Sequence, residues 1–410
     1  MSRLEELIQQ HCPDGVEYKR LGDIATLIRG GNFQKKDFTD SGVPCIHYGQ
    51  IYTHFGIHTT STIKYISPEV ARKSKIAKTN DIVMAITSEN VNDVGKCVAW
   101  LGDEDIAVSG HTAIIQHKQN AKYLSYYFHT SDFFTQKKRL AHGTKVIEIS
   151  PKALEDVLVP VPPLPVQEEI VRILDNFAEL QAELQAELQK RLQQYNYYRD
   201  KLLSFNDLNG GGYAVSVEWK KLGDICLKVC SGGTPSRGNS DYFTGDIPWL
   251  RTQEVDWNDI YDTEIKITED AVKNSSAKLI PKNCVIVAMY GATAGKVGIN
   301  KIPLTTNQAC CNLQINPQKA LYKYVYYWVC NEYEHLKSLG QGSQNNINAQ
   351  IIKEYPIPVP SLSEQQRIVE ILDRFNALTT DITAGLPAEI EARRKQYEYY
   401  RDTLLTFKKK

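Results

Sequence analysis

QEEIVRILDNF at 167–177 returns as QQRIVEILDRF at 365–375, and YYRDKLLSF at 197–205 returns as YYRDTLLTF at 399–407. The offsets are 198 and 202 residues, so this chain of 410 residues is written twice with a period near 200. That period is too long for a solenoid unit and suits a duplicated half made of a globular part and a tail. Working outward from the tails, weaker landmarks recur. EYKRLGDI (17–24) answers EWKKLGDI (218–225), DIVMAI (81–86) answers CVIVAM (284–289), and VGKCVA (94–99) answers AGKVGI (294–299). SGHTAI (109–114) pairs with TNQACC (306–311), HGTKVIEIS (142–150) with QGSQNNINA (341–349), and VLVPVPPL (157–164) with YPIPVPSL (355–362). The globular parts match only at such landmarks, while the tails match almost residue for residue. A copy of this kind produces two similar faces related by a pseudo-two-fold axis.

The tails read as helices. In the first, Ile170, Ile173, Leu174, Phe177, Leu180, Leu184, Leu188, Leu192, Tyr195, Leu202 and Phe205 recur mostly every three or four residues, an apolar stripe among Gln, Glu, Lys and Arg. Pro160, Pro162, Pro163 and Pro165 exclude helix just before it, which puts the start near Val166. About 39 residues at 1.5 Å each make a rod of roughly 58 Å. The second tail repeats the stripe with Ile368, Ile371, Leu372, Phe375, Leu378, Ile382, Ile390, Tyr397, Leu404 and Phe407, and Gly385 and Pro387 predict a break near 384–387. A lone helix with one apolar stripe must bury it, and the natural partner is the other copy. Within the first tail the tetrapeptide AELQ occurs three times in succession, at 178–189.

The globular halves, about 17–158 and 218–354, look mixed. Short β-branched runs at 81–86, 113–116 and 284–289 read as strands between Gly, Asn, Ser and Pro punctuation. The aromatic stretches 123–134 and 321–334 read as helices packed on that sheet, and NDLNGGGY (206–213) as the linker. Hydrophobic residues make up 42% and charged residues 23%, a globular composition. Apolar runs are short: 284–289 is six residues and 324–330 seven, far below the roughly 18 of a membrane span. With no apolar segment at its start and nine cysteines without framework spacing, the chain is expected to be cytoplasmic with reduced thiols. Its 48 basic and 48 acidic residues cancel, so any nucleic-acid contact must come from local stripes of Lys and Arg.

No catalytic constellation emerges. Pro13-Asp14 followed by Glu17-Tyr18-Lys19 imitates a metal-dependent nuclease motif, but the acid and the E-x-K stand too close, and the second copy lacks the Pro-Asp. GATAGKVG (291–298) imitates a phosphate loop, with its glycines one residue too close and Val297 where a magnesium-binding hydroxyl belongs. The Asn/Asp-Pro-Pro-aromatic motif of amino-methyltransferases does not occur. Cys45, His47, His54 and His58 lie near one another, but without the paired spacing of a zinc site. The residues describe a binder.

Two divergent mixed domains, each followed by a near-identical long helix, resemble the specificity subunit of type I restriction–modification systems. The resemblance covers essentially the whole chain. It rests on LGDI at 21–24 and 222–225, SGGTPSR at 231–237, DIPWLRT at 246–252, PVP before Q-x2-I-V-x-I-L-D-x-F in both copies, and YYRD-x-L-L-x-F twice. It implies an α+β fold: two pseudo-symmetric mixed α/β target-recognition domains joined by long helices that pair as an antiparallel coiled coil. The expected parts are recognition domain 1 at 1–158, a first spacer helix region at 159–208, recognition domain 2 at 209–354, and a second spacer helix region at 355–410. Each domain would read one half of a bipartite double-stranded DNA target. The helices would set the gap, with repeats in them tuning it, and would dock two methyltransferase subunits, joined by motor-nuclease subunits. Catalysis, S-adenosylmethionine, ATP and Mg would belong to those partners, with no cofactor here.

Base readers should be Arg, Lys, Asn, Gln, Ser or Thr on Gly-containing loops. In the second half these are Thr234, Ser236, Arg237, Arg251, Thr252, Gln253, Tyr290, Lys296, Gln341, Ser343, Gln344 and Asn345. By repeat alignment the first half offers Asn32, Gln34, Lys35, Lys36, Tyr48, Gln50, Ser88, Asn90, Lys96, His142, Thr144 and Lys145. Tyr195, Tyr197, Tyr198, Tyr397, Tyr399 and Tyr400 at the helix ends are candidates for docking partners. The competing reading is a duplicated coiled-coil adaptor protein without DNA binding.

Overall fold

The computed structural model describes residues 2–205, 217–340, 346–381 and 384–410. The expected linker 206–213, Ile382 of the second stripe, and Gln341, Ser343, Gln344 and Asn345 lie outside the described residues. The chain forms two compact units, Met1–Gln185 with Glu389–Lys410, and Ala186–Ala388.

In the first unit a five-stranded sheet runs in the order Ala25–Arg29, Thr112–His117, Ile82–Ala85, Cys97–Trp100, His58–Thr59. Its pairs are antiparallel except the last, which is parallel. Every residue of the central strand Ile82–Ala85 is buried, because both sheet faces are covered. Side chains alternate across a strand, so Ile82 and Met84 pack with Tyr123, Leu124 and Tyr127 of helix Ala121–Tyr127. Val83 and Ala85 pack on the other face with Ile46, Ile106 and Val108 of a second sheet. That second sheet is made of strands of two to four residues. Each fully buried Leu or Ile in these layers contributes roughly 1.5–3 kcal/mol.

The second unit repeats the first sheet strand for strand: Cys226–Ser231, Cys310–Ile315, Val285–Ala288, Val297–Asn300, Asp259–Ile260, again with only the last pair parallel. Val285 and Val287 face Tyr324 and Trp328 of helix Tyr322–Asn331. Ile286 and Ala288 face Leu250 and Leu304 on the side of its smaller second sheet. The expected strands at 81–86, 113–116 and 284–289 are all present. Each aromatic stretch, however, forms two helices. In the first unit Ala121–Tyr127 ends and Ser131–Leu140 begins, because the Thr130 side chain accepts from Phe133 N and caps a new helix. In the second, Tyr322–Asn331 is succeeded by Tyr333–Ser338.

The first long helix is Leu164–Leu203, 40 residues and about 60 Å. It starts two residues before the expected Val166, because Pro165 falls in the first turn, where the missing N–H costs no helical hydrogen bond. The second is two helices, Leu362–Thr380 and Leu386–Leu404, interrupted where Gly385 and Pro387 predicted. In the first unit Phe177, in the first half of the 40-residue helix, stacks on Tyr400 near the end of the last helix, centroids 5.3 Å apart. In the second unit Tyr198, near the end of the 40-residue helix, stacks on Phe375 at 5.6 Å. Beginnings meet ends in both, so the pairing is antiparallel.

The C-terminus enters the core of the first unit. Tyr397, Leu404, Leu405 and Phe407 join the cluster of Leu21, Ile170 and Leu174. The Tyr18 hydroxyl lies 3.3 Å from Phe407 O and 3.1 Å from Phe407 N.

Candidate nucleic-acid interface

In the first unit the expected loops come together at one end of the sheets. Asn32 lies against Gly110, where a Cβ would sit 2.9 Å from its Oδ1. Gln34 opens a short turn carrying Lys35 and Lys36, all three exposed. Lys35 borders Gly49 in the short helix Tyr48–Thr53, whose Tyr52 hydroxyl donates to Thr87 O at 2.6 Å. Ser88 then pairs with Ile147, and Arg29 bridges Gly110 O (3.2 Å) and Glu148 (3.1 Å). His142, Thr144 and Lys145 are exposed on a loop closed by backbone bonds between His142 and Glu148. Gly143 there has φ +111°, and a Cβ would strike Val146 O, so a side chain does not fit.

Three candidates in this unit are committed elsewhere. Gln50 is 8% exposed, its Oε1 taking His47 N at 2.8 Å, which makes it a cap and not a surface reader. His47 completes the cap by accepting from Gly49 N, and burial, aided by the nearby Lys35 charge, pushes its pKa down to about 4, so the ring is neutral. Asn90 and Lys96 both bind Asp93, at 2.8 and 2.7 Å. Tyr48 is half-buried against His47 and His111. Of the cysteine and histidines near position 45, Cys45 is buried with its thiol toward Lys64 O, and His54 bonds Thr53. Among the described residues no three His, Cys, Asp or Glu side chains gather as a ligand set.

The second unit gathers its loops the same way. Gly232 approaches Thr306 too closely for a Cβ, and the Thr234 hydroxyl bonds the Gln308 amide. Ser236 and Arg237 come next along the chain, exposed. Trp249 Nε1 donates to Gly233 O at 2.9 Å, and Asn307 N to Leu250 O at 2.9 Å, which bring 231–237, 250–254 and 306–308 together. Thr252 and the exposed Gln253 sit on a turn that packs against the turn after exposed Tyr290, and Gly291 N donates to Asn346 Oδ1 at 3.2 Å. Arg251 is held by Glu254 and Glu264, and Lys296 by Asp256 at 2.5 Å. A phosphate must therefore displace carboxylates at Arg251, Lys296 and Lys96. Lys35, Lys36, Lys145 and Arg237 are exposed and carry no ion pair among the described residues.

The tyrosines of the two YYRD copies split identically. Tyr195 and Tyr397 pack inward under Arg199 and Arg401. Burial pushes the Tyr195 hydroxyl up to about 12. Tyr198 and Tyr400 stack on phenylalanines, while Tyr197 (60% exposed) and Tyr399 (66%) point to solvent. In the first unit Tyr399, Lys395, Arg401 and Asp402 face His129, Ser131 and Phe134 across an open groove of about 990 Å³.

A family model described as type I restriction modification DNA specificity domain matches twice, at residues 13–194 and 215–392. The chain belongs to the type I restriction–modification DNA specificity family. It is 42% identical over 254 residues to the Escherichia coli type I restriction enzyme EcoR124I/EcoR124II specificity subunit, a match covering 60% of each chain. It is 32% identical over 318 residues to the putative specificity subunit S.HindORF215P of Haemophilus influenzae, covering 73% of this chain and 76% of that one. A chain solved in a study of assembly and conformational transition of the type I R-M system shares the fold, with a TM-score of 0.63 at 16% identity over 96% of this chain and 98% of the other.

Within this specificity fold, sequence reasoning missed Arg29, Ser109, His111 and Gln308, which tie the loops together or stand among them. Ser109 Oγ accepts from Tyr48 N at 3.1 Å. The signal was available in the landmark pair SGHTAI and TNQACC, which marks the same loop in both copies.

Proposed function

We propose that this chain is the DNA-reading subunit of a type I restriction–modification complex. Residues 1–158 and 209–354 serve as two target-recognition domains, each reading one half of a bipartite duplex site. The helical regions 159–208 and 355–410 set the gap and dock two methyltransferase subunits, Tyr197 and Tyr399 being the exposed candidates for that contact. Motor-nuclease subunits complete the assembly in the cytoplasm. S-adenosylmethionine, ATP and Mg reside on those partners, which carry out the chemistry. Among the described residues no helix is long and apolar enough to cross a membrane.

The carrying observation is that the same layered unit is built twice, and each copy gathers its polar loops at one place. Lys35, Lys36, Lys145 and Arg237 supply salt-dependent phosphate contacts, and the polar residues between them read base edges. The adaptor reading leaves these loop cations without a task. Co-expression with a methyltransferase partner, and then mapping of methylated bases, should yield one motif of two half-sites with a fixed gap. The purified chain alone should be retained on duplex DNA in low but not high salt, and should neither methylate nor cleave it. Methyl transfer by the chain alone, or binding unaffected by salt, would refute the proposal.

A further inference from the structure

Both units contain one and the same polar clasp at the point where a long helix leaves its domain. In the first, Asp175 Oδ2 holds Lys122 Nζ at 2.7 Å and its Oδ1 accepts from the Tyr126 hydroxyl at 2.8 Å. In the second, Asp373 holds Lys323 at 2.5 Å and accepts from Tyr327 at 2.7 Å. The aspartates are those of the ILDNF and ILDRF repeats. The Lys and Tyr lie four residues apart on the aromatic helices, so one helix face presents both donors. Two turns earlier a buried glutamine makes a second tie. Gln167 accepts from Asn120 N and donates to Pro162 O, and Gln365 accepts from Leu321 N and donates to Pro360 O.

The domains have diverged so far that their second sheets differ in strand number, yet this clasp is the same in both. Lys122 is 21% exposed and Asp175, Lys323 and Asp373 are 34–35% exposed, so water screens these bonds in part and the second hydrogen bond, from the tyrosine, helps hold the geometry. Apolar packing alone lets a helix slide or pivot on the aromatic helix. Charge-assisted bonds to one carboxylate have a narrow geometry and remove that freedom.

We infer that Asp175 and Asp373 are positioning residues that lock each long helix to its own recognition domain at one angle, so that a specificity subunit of the kind proposed above accepts a single gap. They touch no DNA. Their effect reaches the target through the direction of the helix.

The experiment uses the full chain co-expressed with its methyltransferase partner, with Asp175→Ala, Asp373→Ala and the isosteric Asp175→Asn. The readout is the ratio of methylation at sites with one base pair more or less in the gap to methylation at sites with the normal gap. Both alanine variants should keep the two half-site sequences and raise that ratio about tenfold, about 1.4 kcal/mol of lost discrimination. Asp175→Asn keeps the Tyr126 bond and the side-chain volume but loses the Lys122 charge, and should fall between. An unchanged ratio in all three variants, or altered half-site sequences, overturns the inference. If the alanine variants fail to fold, the asparagine variant decides alone. If wild type gives no bipartite motif at all, the functional proposal has failed before the clasp is tested.

Discussion

Deleting one AELQ unit, residues 182–185, should change the gap between half-sites while leaving both half-sites intact. The helix Leu164–Leu203 is continuous through all three units, so four residues remove about 6 Å and turn the remainder of the helix by about 40° beyond a whole turn. None of the twelve residues 178–189 is buried, so the deletion removes no core side chain. Leucine recurs every fourth residue here, and the shortened helix still presents Leu at the stripe position. In its antiparallel partner one helix ends at Thr380 and the next begins at Leu386. A base-pair step is about 3.4 Å along a strand, so 6 Å sets a ceiling near two steps. With the helix inclined to the duplex axis, the expected shift is about one base pair, shorter for the deletion and longer for a duplication. The assay is the methylated motif of deletion and duplication variants, read from genomic DNA. An unchanged gap at full methylation in both variants would show that this helix does not set the spacing.

Exchanging residues 17–158 for another recognition domain should rewrite one half-site only, as methylation mapping would reveal; a change in both would contradict modular reading. Leu174→Ala, at a fully buried position where the long helix enters the first core, should cost about 2–5 kcal/mol in chemical denaturation. His47 and His117 are held near pKa 4 by burial, below the ordinary 6.5. Their neutral forms favour the folded state, so their contribution is complete above pH 6.5 and is lost as pH falls from there toward 4. The loss reaches about 1.4 kcal/mol per pH unit for each ring. Melting curves between pH 7 and 4.5 should show it, and His117→Asn should flatten the slope.

The duplication, the two long helices, the break at Gly385 and Pro387, and the central strands 82–85 and 285–288 were all legible in sequence, because each is written in local period or in direct repetition. Among the described residues, Gly-containing polar loops at matching positions of the two copies come together in each unit. Their role is the one proposed above, and their grouping was legible in the repeat. Individual members were not. Gln50 looks like a reader until His47 folds onto it as a cap, and Arg251, Lys96 and Lys296 look like free cations until Glu254, Asp93 and Asp256 arrive. The second sheet of each unit left no trace, because strands of two to four residues are too short to show alternation. Nor does any local signal say that Tyr397, Leu404 and Phe407 complete the core around Leu21, or that Asp175 finds Lys122 and Tyr126. Periodicity records which face of an element is apolar; which face it meets depends on contacts between residues tens to hundreds of positions apart, such as Asp175 with Lys122. Even the pairs three residues apart, Gln50 with His47, Lys96 with Asp93 and Arg251 with Glu254, form only in the turn geometry that the folded chain imposes.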